Sequence, residues 1–257
     1  MTPVGVVTRG TTARRRLRRA DRWLLDCHPG LVRTPGLVVV DLGFGAVPVT
    51  TVHLHTLVRA ANPTARVIGL EIDPDRVAAA GSWNAPGLSF ERGGFELAGH
   101  RPHVVRAFNV LRQYAEDEVG PAWALMRGGL APGGIVVEGT CDENGRLGSW
   151  VTLDAAGPRA LTLALDPLLP PAAVAARLPK VLIHRNVPGE PIHRLITDLD
   201  EQWRRSAPLG VFSPHQRLTA VVRALVACGW PVVDGPARWR RGELTLAWAA
   251  VRPEDSR

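Results

Sequence analysis

Five consecutive residues, Asp41-Leu42-Gly43-Phe44-Gly45, carry the clearest chemistry in the chain. They follow the apolar run Leu37 to Val40 and precede a helical pattern that starts at Val49. A strand–turn–helix of this kind can lay a nucleotide or nucleoside against bare backbone, which requires glycine wherever a side chain would block the approach. A second acid, Glu71, ends the next apolar run in Gly69-Leu70-Glu71-Ile72-Asp73-Pro74. A carboxylate there can accept both hydroxyl hydrogens of a ribose, with Asp73 as the fallback. A third feature, Leu130-Ala131-Pro132-Gly133-Gly134, is a tight turn that delivers the chain into a later strand.

A GxG turn alone also suits dinucleotides. Here Asp41 stands where the dinucleotide fingerprint keeps an apolar residue, and Pro48 stands where its third glycine would fall. A pyrophosphate is poorly matched to the Asp41 carboxylate. S-adenosylmethionine, which carries a sulfonium and an ammonium and no phosphate, tolerates an acid at that place.

The elements that must position these residues follow from short apolar runs, typical of buried parallel strands, alternating with helical spacing. Strands are expected at Leu37–Val40, Val67–Leu70, Leu88–Phe90, Val104–Phe108 and Ile135–Val137. Helices are expected at Val49–Ala60, from Pro74, and through Trp123 to Met126. The stretch 145–210 is not needed by that core. It reads as a hairpin, Ser149–Leu153 and Ala160–Leu165, then a proline-rich run and a helix over Ile192–Trp203, placed to cover a substrate. A helix Leu218–Cys228, an extended Pro231–Val233 and a last strand Glu243–Val251 are expected to complete the sheet. The fold class is therefore α/β: a doubly wound, Rossmann-like sheet, mostly parallel with an antiparallel last strand, and an insertion after strand five.

With these residues in register from about Leu37 to Glu138, and again from Ser213 to Val251, the sequence resembles the class I S-adenosylmethionine-dependent methyltransferase family. The resemblance implies one methyltransferase domain over 1–257, with S-adenosylmethionine as its cofactor. The methionine part would lie on Asp41, Gly43, Phe44 and Gly45, the ribose on Glu71 beside Ile72, the adenine by Gly93, Gly94 and Phe95, and the floor on Phe108, Asn109 and Val110. The aspartate that members often place near the adenine amine is replaced by Gly93-Gly94-Phe95-Glu96, so backbone groups or stacking by Phe95 would take that role. The asparagine–proline–proline–aromatic tetrad of base-amino methylation is absent, because Asn109 is followed by Val110 and Leu111.

Methyl transfer asks for alignment and a dry pocket more than for acid–base groups, so no catalytic residue is assigned. Arg112, His184 and His193 are the substrate-binding candidates, the two histidines flanking the Val187-Pro188-Gly189 bend. Arg106 and Arg112 are expected to pair with Asp117, Glu118 or Glu138, and His53 and His55 to pack on their helix. No spacing suits a metal, and three scattered cysteines fit a reducing cytoplasm.

The net charge is +7, and all 31 basic residues except Lys180 are arginine, a bias that GC-rich bacterial coding produces. Residues 1–30 form a basic extension, with Thr11–Leu25 expected as a helix docking through Leu17, Trp23, Leu24 and Leu25. No run reaches the roughly 18 apolar residues of a membrane span, and no secretion signal is read. A small-molecule acceptor is favoured. The alternatives are an RNA methyltransferase using the arginine-rich surfaces and a scaffold that binds the cofactor without turnover.

Overall fold

The computed structural model describes residues 2–7 and 12–254. They fall into two compact units, Met1–Gly145 with Leu153–Gly157, and Arg146–Thr152 with Pro158–Arg257. Thr11, the first residue of the expected basic helix, lies outside the described residues. Among the described residues no helix is long and apolar enough to cross a membrane.

The first unit is built on five strands: β1 (Val38–Leu42), β2 (Arg66–Glu71), β3 (Leu88–Arg92), β4 (Val104–Phe108) and β5 (Ile135–Cys141). They lie in the order β3-β2-β1-β4-β5 and every pairing is parallel. This is the doubly wound order that reverses direction beside β1, and it puts a ligand crevice at the carboxyl ends of β1 and its neighbours. β1 and β4 are buried at every position, and apart from Asp41 and Arg106 every residue in them is apolar. The helices are α1 (Arg18–Cys27), α2 (Pro29–Val32), α3 (Val49–Ala61), α4 (Pro74–Ala80) and α5 (Glu116–Gly128).

Local chemistry sets the boundaries. Pro74 opens α4 at a position where its missing N–H costs nothing, and the Asp73 carboxylate caps the helix by accepting from the N–H groups of Asp75 and Arg76. Asp73, the fallback ribose acid, is thereby used as a cap. Gly69 lies in mid-strand for a packing reason: a Cβ there would come within 2.5 Å of Phe90 and 3.1 Å of Phe44, the two rings that pack edge-on beside it. α1 docks through Ala20, Trp23 and Leu24, all buried, and so does Leu17 just before it.

A hairpin divided between the two units follows: β6 (Gly148–Asp154) turns through Ala155-Ala156 into β7 (Gly157–Ala164), with Asp154 Oδ1 accepting from the N–H groups of Ala156 and Gly157, and the rest of the chain belongs to the second unit. β7 pairs antiparallel with the final strand β8 (Glu243–Ala247), from Ala160 opposite Ala247 to Ala164 opposite Glu243. The 145–210 stretch therefore contributes the direct partner of the last strand. α6 (Lys180–Ile183) precedes α7 (Pro191–Arg205), whose buried Ile192, Leu195, Ile196, Leu199 and Trp203 keep helical spacing toward α8 (Pro214–Ala227). α9 (Pro236–Trp239) completes the unit.

The expected strand over Pro231–Val233 does not form; a single bridge joins Val232 to Leu246. Pro231 has no N–H to give, and the Val232 N–H turns back to the Trp230 carbonyl at 2.8 Å. β8 also stops at Ala247, where residues Trp248–Ala250 tighten into a 3₁₀ turn.

Candidate functional site

At the carboxyl end of β1 the chain enters a turn in which Gly43 and Gly45 have φ of 71° and 79°. Both lie in the left-handed region that L side chains resist, so glycine is needed for conformation at both positions. Gly43 N–H donates to the Leu70 carbonyl at 2.8 Å, which holds the turn against β2. Glu71 completes the clasp. Its Oε2 accepts from Gly45 N–H at 2.9 Å and its Oε1 from Ile72 N–H at 2.9 Å, with the side chain 1% exposed. Arg76 Nη1 also stands 3.7 Å from Oε2, and a carboxylate offers about four acceptor sites in all.

These groups open onto one crevice in the first unit, lined by Leu42, Gly43, Glu71, Ile72, Gly94 and Phe95, among others. Val110 and Tyr114 form its opposite side, and the Phe95 and Tyr114 rings stand 5.4 Å apart. Gly43, Glu71, Ile72, Gly94, Phe95 and Val110 are thus brought together, as the sequence spacing requires. Phe44 instead packs against Phe90, and Gly45 contributes through its N–H on Glu71.

Asp41 stands behind the turn. It is the register partner of Arg106 across β1 and β4, and the guanidinium grips it with two bonds, Nε to Oδ1 at 2.8 Å and Nη2 to Oδ2 at 2.6 Å. Thr51 Oγ1 donates to Oδ2 as well, at 2.5 Å. The third arm of Arg106, Nη1, donates to Asp21 Oδ1 of α1 at 2.5 Å. Arg106 therefore pairs with Asp41 and Asp21, and the expected pairing with Asp117, Glu118 or Glu138 is corrected. Burial pushes the Asp21 carboxyl up to about 6 against the pull of Arg106. Burial also opposes the charge on Arg106, but Asp21 and Asp41 outweigh it and hold the guanidinium above its ordinary range. Asp41 thus supports the turn through the fold, by tying β1, β4 and α1 into one buried ion triad.

Asn109, at φ 61°, locks the ends of β4 and β5 together. Its N–H donates to the Gly139 carbonyl at 2.7 Å and its Oδ1 accepts from Cys141 N–H at 3.1 Å. Its side chain neither lines the crevice nor caps a helix. Burial raises the Cys141 thiol above its usual range, which keeps it unreactive. Arg112 is exposed in the 3₁₀ turn Leu111–Gln113. His184 and His193 lie in the second unit. His184 Nε2 is 3.2 Å from Lys180 Nζ, and His193 Nδ1 is 3.2 Å from Asn186 Oδ1 beside a cavity of about 550 Å³ lined also by Arg194, Cys228 and Trp230.

Three features take roles that the sequence reading did not give them. Tyr114, the chain's single tyrosine, sits in the crevice wall. Glu138 on β5 is fully buried, and burial pushes its carboxyl up to about 8 against a hydrogen bond from Trp123, so it is protonated at neutral pH. The third is the segment Val4–Val7, which crosses the crevice; an apolar Val-Gly-Val-Val outside any expected element was the one sequence signal for it. His53, on α3, is held below the usual imidazole range by burial and by Arg18, Arg106, Arg14 and Arg15. Among the described residues no three metal-ligating side chains cluster.

Neither a protein-family model nor a curated protein sequence matches this chain. Solved structures do. One is magnesium protoporphyrin IX methyltransferase from Synechocystis PCC 6803 with bound SAH, at 17% identity over 51% of this chain and TM-score 0.39. Others are human N-acetylserotonin methyltransferase in complex with SAM, at 19% identity over 52% of this chain and TM-score 0.39, and a putative protein-L-isoaspartate O-methyltransferase from Plasmodium falciparum in complex with S-adenosyl-L-homocysteine, at 15% over 60% and TM-score 0.37. The matches span 62%, 37% and 71% of those three chains.

Proposed function

We propose that the chain is an S-adenosylmethionine-dependent methyltransferase with its cofactor in the β1–β2 crevice. The observation that carries this is the clasp between Glu71 and the glycine turn. One nearly inaccessible carboxylate holds the turn through Gly45 N–H and still faces the crevice, where it can accept the hydroxyls of a ribose.

The chemistry of the donor set fits the rest of the molecule. Gly43 and its neighbours offer close backbone approach and no phosphate cradle, and the charged group bonded directly to the turn, Glu71, is negative. At the far end, Phe95 N–H is a donor and Glu96 Oε2 an acceptor, the complement of an aminopurine edge with its ring nitrogen and exocyclic amine. The Glu96 carboxylate, steadied by Gly94 N–H at 2.8 Å, offers an acid in place of the aspartate that family members often carry there. Phe95 and Tyr114 add aromatic walls.

When bound, S-adenosylmethionine supplies a methyl group on a positively charged sulfur, open to in-line displacement. The protein's part is to fix that sulfur, exclude water and present the acceptor. The acceptor is proposed to be a small molecule. The turn before α1 bears on its character: Arg16 is pinned to the end of β5 by bonds from Nε to the Asp142 carbonyl and Nη2 to the Cys141 carbonyl, which brings Arg14, Arg15 and Arg18 to the same region. A negatively charged acceptor suits that surface.

Calorimetric titration with S-adenosylhomocysteine tests the cofactor reading, repeated on Glu71→Ala and Gly43→Val. Micromolar binding by the wild type, weakened at least tenfold in both variants, is expected. No heat with the wild type or with a variant lacking residues 2–7, or undiminished binding by both the Glu71 and Gly43 variants, would sink the assignment. Labelled methyl donor offered to separated metabolite, RNA and protein pools then reads the acceptor class, with label expected in the metabolites.

A further inference from the structure

The crevice is already occupied by the chain's own N-terminal segment. Val4 and Val6 line it together with Gly43, Glu71 and Phe95, and the space left amounts to about 10 Å³, room for roughly one water. A ligand of nucleoside size or larger needs a pocket of roughly 300 Å³ or more. Both cannot be accommodated at once.

The segment is held by directed bonds. Val4 N–H donates to Glu96 Oε2 at 2.7 Å, and the Val4 carbonyl accepts from Phe95 N–H at 2.9 Å. Val6 N–H donates to the Tyr114 hydroxyl at 2.6 Å, and Gln113 Nε2 donates to the Val7 carbonyl at 3.2 Å. The backbone passes so near the crevice wall that a Cβ on Gly94 would lie 2.1 Å from the Val4 carbonyl oxygen. At Gly5 a Cβ would come within 2.8 Å of Ile72 and 2.9 Å of the Tyr114 hydroxyl. Val4 thus presents one donor and one acceptor to the same two groups, Glu96 and Phe95 N–H, that complement an aminopurine edge.

We propose that residues 2–7 are an autoinhibitory strap that competes with the adenosyl ligand for this crevice, the Val4 peptide imitating the purine edge, so that ligand entry requires the strap to leave. This rests on the cofactor reading above. The apparent affinity for the ligand is then the intrinsic affinity reduced by the fraction of molecules with the strap open. With that fraction at about 1 to 10%, freeing the crevice tightens binding by about 10- to 100-fold. Anything that captures residues 2–7 elsewhere, such as a partner surface that takes an extended apolar segment, would switch the site on.

The test compares S-adenosylhomocysteine binding by the full chain, by a variant lacking residues 2–7, and by the Val4→Pro, Val6→Pro double variant. The double variant leaves the crevice wall untouched but removes the N–H donors to Glu96 and Tyr114. Both variants should bind at least tenfold more tightly than the full chain. Amide exchange supplies a readout free of ligand: Phe95 N–H, protected by Val4 in the full chain, should exchange faster in both. Equal affinity in all three proteins, within about twofold, overturns the strap and leaves the cofactor reading standing. Weaker binding by the deletion variant also overturns it, by making the strap a wall of the site. Binding by none of the three refutes the cofactor reading and the strap's role with it.

Discussion

Replacing Arg106 by methionine should destabilise the protein out of proportion to the bonds counted. Arg106 is 1% exposed and makes three short charge-assisted bonds to Asp41 and Asp21, themselves 3% and 1% exposed. Methionine fills most of the volume and leaves two carboxylates buried without a cation, which costs about 3–5 kcal/mol. The loss should depend on pH in a defined sense. Asp21 already titrates near 6 with Arg106 present, above its value in the unfolded chain, so its protonated form is the one the fold favours. A group raised in this way contributes stability at low pH that is lost as pH rises through its folded value. Without Arg106 burial raises the Asp21 carboxyl further still, so the variant gains more than the wild type as the acid protonates, and the deficit of Arg106→Met should shrink between pH 8 and pH 5. Removing all three charges, as Asp21→Asn, Asp41→Asn and Arg106→Met together, should recover at least about 2 kcal/mol relative to the single variant. Urea unfolding followed by both circular dichroism and tryptophan fluorescence measures each quantity. A single-variant loss below about 1 kcal/mol at pH 7.5, or a triple variant no more stable than the single, would refute the account of the triad.

Glu138→Gln mimics the protonated acid, so it should match the wild type at pH 4 and exceed it increasingly as pH rises from there to about 8. Over that window the unfolded chain's carboxyl is ionised while the buried one stays neutral, so the wild type loses stability that the variant keeps; parallel pH profiles in thermal unfolding would contradict this. Gly45→Ala places a side chain at φ 79° and should cost about 1 kcal/mol or more of stability, together with S-adenosylhomocysteine affinity; calorimetry and unfolding on one sample check both. Glu71→Gln can still accept the Gly45 N–H through its amide oxygen but loses the second acceptor. It should keep the fold within about 1 kcal/mol while binding the ligand several-fold more weakly, and unchanged affinity would remove Glu71 from the ribose role.

The strands were legible because a parallel strand buried on both faces is mostly apolar, as in Val38–Leu42 and Val104–Phe108, each broken only by its half of the Asp41–Arg106 pair. The turn was legible because Gly43 and Gly45 are required by their dihedrals, a local need that leaves a local mark. The partners of Asp41 were not. Arg106 reaches Asp41 only through the β1–β4 register, and Asp21 only through the docking of α1, and neither has a signature within a short window. Pro231–Val233 looked like a strand, but a proline and a back-turned Val232 N–H leave it a single bridge. The strap has no periodicity at all. Its place depends on the complementarity between one peptide group and the pair Phe95 N–H and Glu96, which exists only after the sheet has formed.

The central claim is that an adenosyl ligand sits on Glu71 and at the Phe95–Glu96 edge. A crystal structure of the protein grown with S-adenosylhomocysteine tests it most directly. The account predicts ribose hydroxyls within hydrogen-bond distance of the Glu71 carboxylate, the purine edge on Phe95 N–H and Glu96, and Val4 displaced from both. Ligand density elsewhere, with the Val4 carbonyl still on Phe95 N–H, would contradict it.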